Sequence, residues 1–204
     1  MSIASSTAVA GLELPPLEDL LDGAFRRALG LAPASQYGIA CRDVPATIRE
    51  SEARGLGPFA RAVVPVPRWV ENGERRPVRL EFALGYDGEA QVELLGSGHG
   101  TRFYADALAG ASAQAVLHHV GVYQAGLADA SDRLERAGFP RVVAGGVRLG
   151  RLARFQFAYH DTREALGVYL EILDFAMLGE RPVPMRAAVG FAARLSAVFR
   201  GNRD

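Results

Sequence analysis

Four side chains in this sequence have the types and placement to hold a divalent cation: Gln36, Glu93, His119 and Glu171. Each interrupts a short apolar run, as in Leu117-His118-His119-Val120-Gly121-Val122 and Val168-Tyr169-Leu170-Glu171-Ile172-Leu173. A carboxylate in such a run is costly to bury unpaired, or else shifts its pKa until it is neutral. Metal coordination removes the cost, and so does pairing with one of the 23 basic residues. Two glutamates at matched positions, with a Gln and a His also matched, favour coordination. One imidazole, one amide and two carboxylates make an oxygen-rich set suited to Zn, Mn, Co, Ni or Mg, whereas a non-haem iron oxygenase centre wants two histidines and one carboxylate.

The matching is a repeat within the chain. Gln36 and Gly38 correspond to His119 and Gly121 at an offset of 83, and Gly55 corresponds to Gly138 at the same offset. Phe82-Ala83 corresponds to Phe157-Ala158 at an offset of 75, so the first unit is eight residues longer before this strand. The extra length contains Trp69, Asn72 and Gly73 and is expected to be a hairpin or a loop over the site. Glu93 then corresponds to Glu171 at an offset of 78. Helices are expected over 44–54 and 127–137, each with spaced apolar residues and a glycine just past its end.

Alternate residues of a strand face the same side of a sheet. The first and last strands of each unit therefore offer one candidate ligand each to a common concave face. Two histidines compete for the place in the second unit; matching through Gly121 selects His119 and sends His118 to the opposite face.

The elements required are those of an α+β protein: two tandem βαβββ modules forming a cupped, mostly antiparallel sheet around one site, with added N- and C-terminal helices. The expected divisions are an extension and helix over 1–33, a first module over 34–97, a linker over 98–114, a second module over 115–176 and a terminal helix over 177–204. Residues 1–12 read as loosely attached, 17–29 as one packing helix, and Met185 to Phe199 as an amphipathic helix whose apolar side packs on the sheet or on another subunit, so a homodimer is allowed.

Composition narrows the function classes. A formal net charge of zero and a pI near 6.9 provide no basic field for nucleic acid. No lysine occurs, which excludes Schiff-base chemistry, pyridoxal phosphate anchoring and a P-loop. Cys41 is the one cysteine, lies in an apolar strand and is expected to be buried and inert. The uncharged run from Ala107 to Ala128 contains His118, His119, Gln114 and Gln124, which hydrocarbon would penalise, and no positive n-region precedes the first apolar residues. These features predict a cytoplasmic protein with no membrane and no nucleic-acid partner.

The His-His-Val-Gly opening at 118–121, Arg136-Ala137-Gly138-Phe139, Phe157-Ala158-Tyr159 and Leu166-Gly167-Val168-Tyr169-Leu170-Glu171 together resemble the vicinal-oxygen-chelate superfamily of glyoxalases, bleomycin-resistance proteins and extradiol dioxygenases. The resemblance is nearest the glyoxalase I and methylmalonyl-CoA epimerase-like branch. It implies a metal at the four strand positions, and a Gln, Glu, His, Glu set is similar to that of eukaryotic-type glyoxalase I. The approach to the last strand, His160-Asp161-Thr162-Arg163, departs from glyoxalase I and leaves the substrate open.

On that footing the expected activity is a metal-dependent lyase, isomerase or epimerase acting on a small-molecule carbonyl or acyl substrate through a metal-stabilised enediolate. Glu171 or Glu93 would move the proton, with Glu171 ranked first. The alternative is a metal-free binding protein of the bleomycin-resistance type, its cavity lined by aromatics such as Trp69, Tyr86, Phe103, Tyr123 and Phe157. An extradiol-type dioxygenase ranks behind both, because Gln36 stands where many members have histidine.

Overall fold

In the computed structural model, which describes residues 7–9, 11–180 and 189, the period-2 runs become an eight-stranded barrel. The first unit comprises β3 (Gln36–Cys41), α3 (Val44–Ala53), β4 (Ala60–Glu71), β5 (Glu74–Asp87) and β6 (Ala90–Leu95). The second comprises β7 (Ala115–Tyr123), α5 (Leu127–Arg136), β8 (Arg141–Leu149), β9 (Ala153–His160), the short α6 (Arg163–Leu166) and β10 (Tyr169–Met177). Between them α4 (Phe103–Ala107) stands in the linker; ahead of them come β1 (Thr7–Val9), β2 (Leu12–Leu14), α1 (Leu17–Leu20) and α2 (Gly23–Ala28).

Local chemistry explains the element ends. The Asp43 carboxylate accepts from Ala46 N at 2.8 Å, and Pro45 occupies the first turn of α3. Gly55 and Gly138, at φ 90° and 92°, follow the ends of α3 and α5, as glycines past a helix end should.

The barrel runs β10-β7-β3-β6-β5-β4-β8-β9 and closes. Within each unit the first strand pairs parallel with the last, β3 with β6 and β7 with β10. The units join twice, both times antiparallel: β3 with β7, and the tip of β4 with β8. The eight extra residues of the first unit form a hairpin rather than a cover. Asn72 and Gly73, both at positive φ, turn β4 into β5. The lengthened β4 reaches β8 through Val70↔Ala144 and Glu71↔Val143, which completes the ring.

Alternation along the strands divides the core. Tyr37, Ile39, Val92, Leu94, Val120, Val122, Leu170 and Ile172 face outward and are covered by α3, α5 and the N-terminal elements. The inward face carries the candidate ligands, and at one end of the interior Trp69, Tyr104, Leu108, Val143 and Tyr159 pack together. Tyr104 and Leu108 come from the linker helix and its end, so α4 plugs the barrel. Arg42 anchors that plug by donating to Leu108 O at 2.8 Å and Ala111 O at 2.7 Å.

Three sequence expectations change. Residues 7–9 and 12–14 pair as β1 and β2, and the apolar side chains of Val9 and Leu14 are buried in the outer core, which ties this stretch to the fold. The helix expected over 17–29 breaks into α1 and α2, since the Asp22 carboxylate accepts from Ala24 N and Phe25 N and starts a new helix. His118 does not point cleanly away: β3 and β7 change register there, Gly38 facing His119 while Ile39 faces Leu117, so His118 is the extra residue of a bulge. The helix expected over Met185 to Phe199 lies outside the described residues. Among those described, no helix is long and apolar enough to cross a membrane.

Candidate metal centre

The two central strands are antiparallel, so each unit's first candidate ligand meets a glycine of the other unit. Gln36 is paired with Gly121, and Gly38 with His119. A Cβ on Gly38 would lie 1.8 Å from the His119 ring, and one on Gly121 would lie 2.3 Å from Gln36 Oε1. The glycines therefore leave the space that the two side chains occupy. From the flanking parallel strands come Glu93 of β6 and Glu171 of β10, the latter paired with Gly121.

These placements bring His119, Glu93 and Glu171 together, with one candidate ligand atom from each lying within 4.8 Å of the others. His119 Nε2 is 3.1 Å from Glu171 Oε2 and 3.5 Å from Glu93 Oε2. Both His119 Nε2 and Glu171 Oε2 are buried, and their ion-pair contact is made without well-aligned hydrogen-bond geometry. Gln36 stands on the same cavity wall as the two glutamates, and its Oε1 is buried without a hydrogen-bond partner.

Protonation reflects this crowding. Burial works against a charged His119, but the adjoining Glu171 and Glu93 carboxylates prevail and push its pKa up to about 9. Burial raises the Glu93 carboxyl, Glu171 adds to the rise, and the hydrogen bond and charge of His119 oppose it.

Two neighbours that the strand pattern did not single out position the centre. Gln91, one pleat before Glu93 and on the same face, accepts from Gln36 Nε2 at 2.8 Å and from the Tyr123 hydroxyl at 2.7 Å, and donates to the Tyr86 hydroxyl at 2.9 Å. With its nitrogen so engaged, the Gln36 amide presents its oxygen to the cavity. The only sequence signal was a second amide in the β6 run Gln91-Val92-Glu93. His118, displaced by the bulge, brings its Nδ1 to 3.1 Å from His119 Nδ1. Once the His119 imidazolium gives up its Nε2 proton, a proton kept on Nδ1 in that contact leaves the Nε2 lone pair facing the carboxylates. The His118 ring stacks on Tyr169 and meets Phe103 edge-on, and burial lowers its pKa well below the ordinary value.

The centre forms one pole of a cavity of about 370 Å³ whose other walls include Val64, Leu80, Phe82, Phe155 and Phe175. Of the aromatics expected around a ligand, Tyr123 and Phe157 line it. Trp69 and Phe103 instead pack in the interior plug, and Tyr86 supports Gln91. Arg61, Arg79 and Arg154 are not among its lining residues; Arg61 pairs with Glu81 and Arg154 with Asp174. Cys41 is fully buried and burial pushes its thiol up to about 11, so it is no nucleophile. His160 is bound to Ser131 Oγ and Phe139 O and ties α5 to β9.

Residues 35–159 match the family described as the Glyoxalase/Bleomycin resistance protein/Dioxygenase superfamily, over more than half of the chain. No curated protein gives a significant match. Similar solved structures include a methylmalonyl-CoA epimerase in complex with methylmalonyl-CoA and ammonium, 20% identical, covering 70% of this chain and 94% of that one at a TM-score of 0.45. The epimerase from Mycobacterium tuberculosis is 18% identical, covering 70% and 87% at a TM-score of 0.43. A mutant 4-hydroxymandelate synthase from Streptomyces coelicolor is 11% identical, covering 80% and 54% at 0.49.

Proposed function

The chain belongs to the glyoxalase, bleomycin-resistance and dioxygenase superfamily, and from that premise we propose that it is a metal-dependent lyase, isomerase or epimerase that moves a proton next to a carbonyl. The observation carrying this reading is the buried cluster of His119 Nε2 with the Glu93 and Glu171 carboxylates, on a cavity whose wall also carries Gln36 Oε1, a buried oxygen without a hydrogen-bond partner. A buried oxygen such as Gln36 Oε1 costs on the order of 1–3 kcal/mol to leave unsatisfied in a protein interior. A divalent cation would satisfy it together with the cluster.

The donor set fits the ion. Gln36, Glu93, His119 and Glu171 supply one amide oxygen, two carboxylates and one imidazole nitrogen, a hard set that accepts Zn, Mn, Co or Ni. Such an ion contributes Lewis-acid stabilisation of the negative charge that develops on a substrate carbonyl oxygen. The chain's own residues do the rest. The Glu171 carboxylate takes the proton from the carbon next to the carbonyl on the oxygen not needed for the ion and returns it, and Glu93 is the alternate carrier. Gln91 and His118 keep the Gln36 and His119 side chains aimed at the centre, and the apolar walls keep water from the carbanionic carbon. The substrate is a small carbonyl or acyl compound.

A metal-free binding protein is the second reading, favoured by the apolar walls of the cavity. Elemental analysis separates the two. About one divalent ion per chain, lost in Glu93→Ala and in His119→Ala, is the expected result; a wild type without metal after dialysis against Zn, Mn, Co and Ni would overturn the enzyme reading. Given metal, Glu171→Gln is expected to lower turnover of a 2-oxo thiol adduct or an acyl-CoA epimer by about 10²–10⁴-fold with the fold intact. Near-normal turnover in that variant would remove the role from Glu171.

A further inference from the structure

The polarity of the cavity is confined to one end. Of its lining residues only Gln36, Glu93 and Glu171, together with three tyrosines, carry polar side-chain atoms. The tyrosines are largely engaged: the Tyr104 and Tyr159 hydroxyls share one hydrogen bond at 3.0 Å, and Tyr123 donates to Gln91. Burial raises all three well above the ordinary tyrosine value, so they stay neutral. Although the chain has 23 basic residues, none of the described residues lining the cavity is cationic. The volume, about 370 Å³, lies at the small end of the roughly 300–1,000 Å³ usual for ligand sites.

We infer that the ligand is an oxygen-chelating head on an uncharged apolar body, aromatic or branched aliphatic, with the body filling the space between Phe82, Phe155, Phe175 and Leu80. This rests on the metal-centre reading for the head, while the apolar walls alone specify the body. A charged or hydroxylated body would surrender its hydration to walls that offer no cation and, away from the metal pole, at most the one hydroxyl proton left over from the Tyr104–Tyr159 pair. An apolar body gains in proportion to the area it removes from water.

A hydroxamate series holds the two-oxygen head constant and varies the body. Binding of acetohydroxamate, benzohydroxamate, 2-naphthohydroxamate and succinate monohydroxamate is measured by calorimetry on Zn-loaded protein and on protein stripped with EDTA. On loaded protein, benzohydroxamate binds at least about tenfold tighter than acetohydroxamate. The naphthyl compound binds no more weakly than the phenyl one, and the anionic succinate compound binds no tighter than acetohydroxamate. In Phe82→Ala and Phe175→Ala the phenyl-to-methyl ratio shrinks by about threefold or more. A flat series that still requires zinc, a succinate compound as tight as the phenyl one, or a ratio unchanged in both variants overturns the apolar body and leaves the metal centre standing. The full ordering on stripped protein, with no help from zinc, supports the apolar body and overturns the metal reading instead.

Discussion

Gly38 lies directly across the β3–β7 junction from His119, and the imidazole fills the place where a side chain on Gly38 would begin. The mirror relation holds between Gly121 and Gln36. The glycine two residues after Gln36 therefore serves His119, and the glycine two residues after His119 serves Gln36.

Gly38→Ala is expected to push the His119 ring off the carboxylates. Overpacking of this kind costs about 1–3 kcal/mol. Urea denaturation should show that loss, and zinc uptake should fall with it; a variant that folds with unchanged stability and full zinc occupancy would refute the packing argument. Gly55→Ala is the control. Its added Cβ meets nothing within 4 Å, so it bears only the strain of its left-handed backbone and zinc uptake is retained.

Gln91 is expected to matter through Gln36. Gln91→Leu removes three hydrogen bonds and frees the Gln36 amide to rotate. Loss of an outer partner of a metal ligand typically weakens affinity about 10–100-fold. Competition with a chromophoric chelator would measure this. If Gln36→Ala and the double variant bind zinc as Gln91→Leu does, Gln91 acts only through Gln36; additive losses would give it a separate role.

His118→Phe keeps an aromatic ring against Tyr169 and Phe103 but removes the nitrogen that faces His119 Nδ1. Stability is expected to change little, while zinc affinity falls by about 10–100-fold. Unchanged affinity would mean that the bulge geometry alone orients His119.

Zinc uptake is expected to depend on pH because the His119 imidazolium, with its pKa pushed up to about 9 in the ion-free protein, must lose a proton to coordinate. The apparent binding constant should then rise about tenfold per pH unit between about pH 6 and 8 and level off above about 9. The raised Glu93 carboxyl acts in the same direction. In the ion-free protein the sign for folding is opposite: the imidazolium's contribution is fully present below the unfolded value of about 6.5 and is lost as pH rises through about 9. Calorimetry in buffers of different ionisation enthalpy reads the released proton directly, and a pH-independent binding constant would contradict the assignment.

What the sequence determined by itself was whatever depends on local period and on repetition. The alternation in 117–122 and 168–173, the glycines past two helices, and the offset that aligns Gln36 with His119 were enough to name an α+β fold of two βαβββ units, and the resemblance of the motifs at 118–121, 136–139, 157–159 and 166–171 added the superfamily. Of the positions they singled out, Gln36, Glu93 and Glu171 line one cavity and His119 lies against the two glutamates, because a period of two leaves an inward position no freedom of face. The tertiary structure decided everything that depends on pairing between distant strands. Closure of the ring by the Asn72-Gly73 hairpin on β8, insertion of Tyr104 and Leu108 as a plug, and the Gln91 network all join residues whose proximity no local pattern encodes. His118 is the clearest case. A strict period of two turns it away from the centre, and one bulged residue, which exists only because β3 and β7 pair in that register, turns it back to His119.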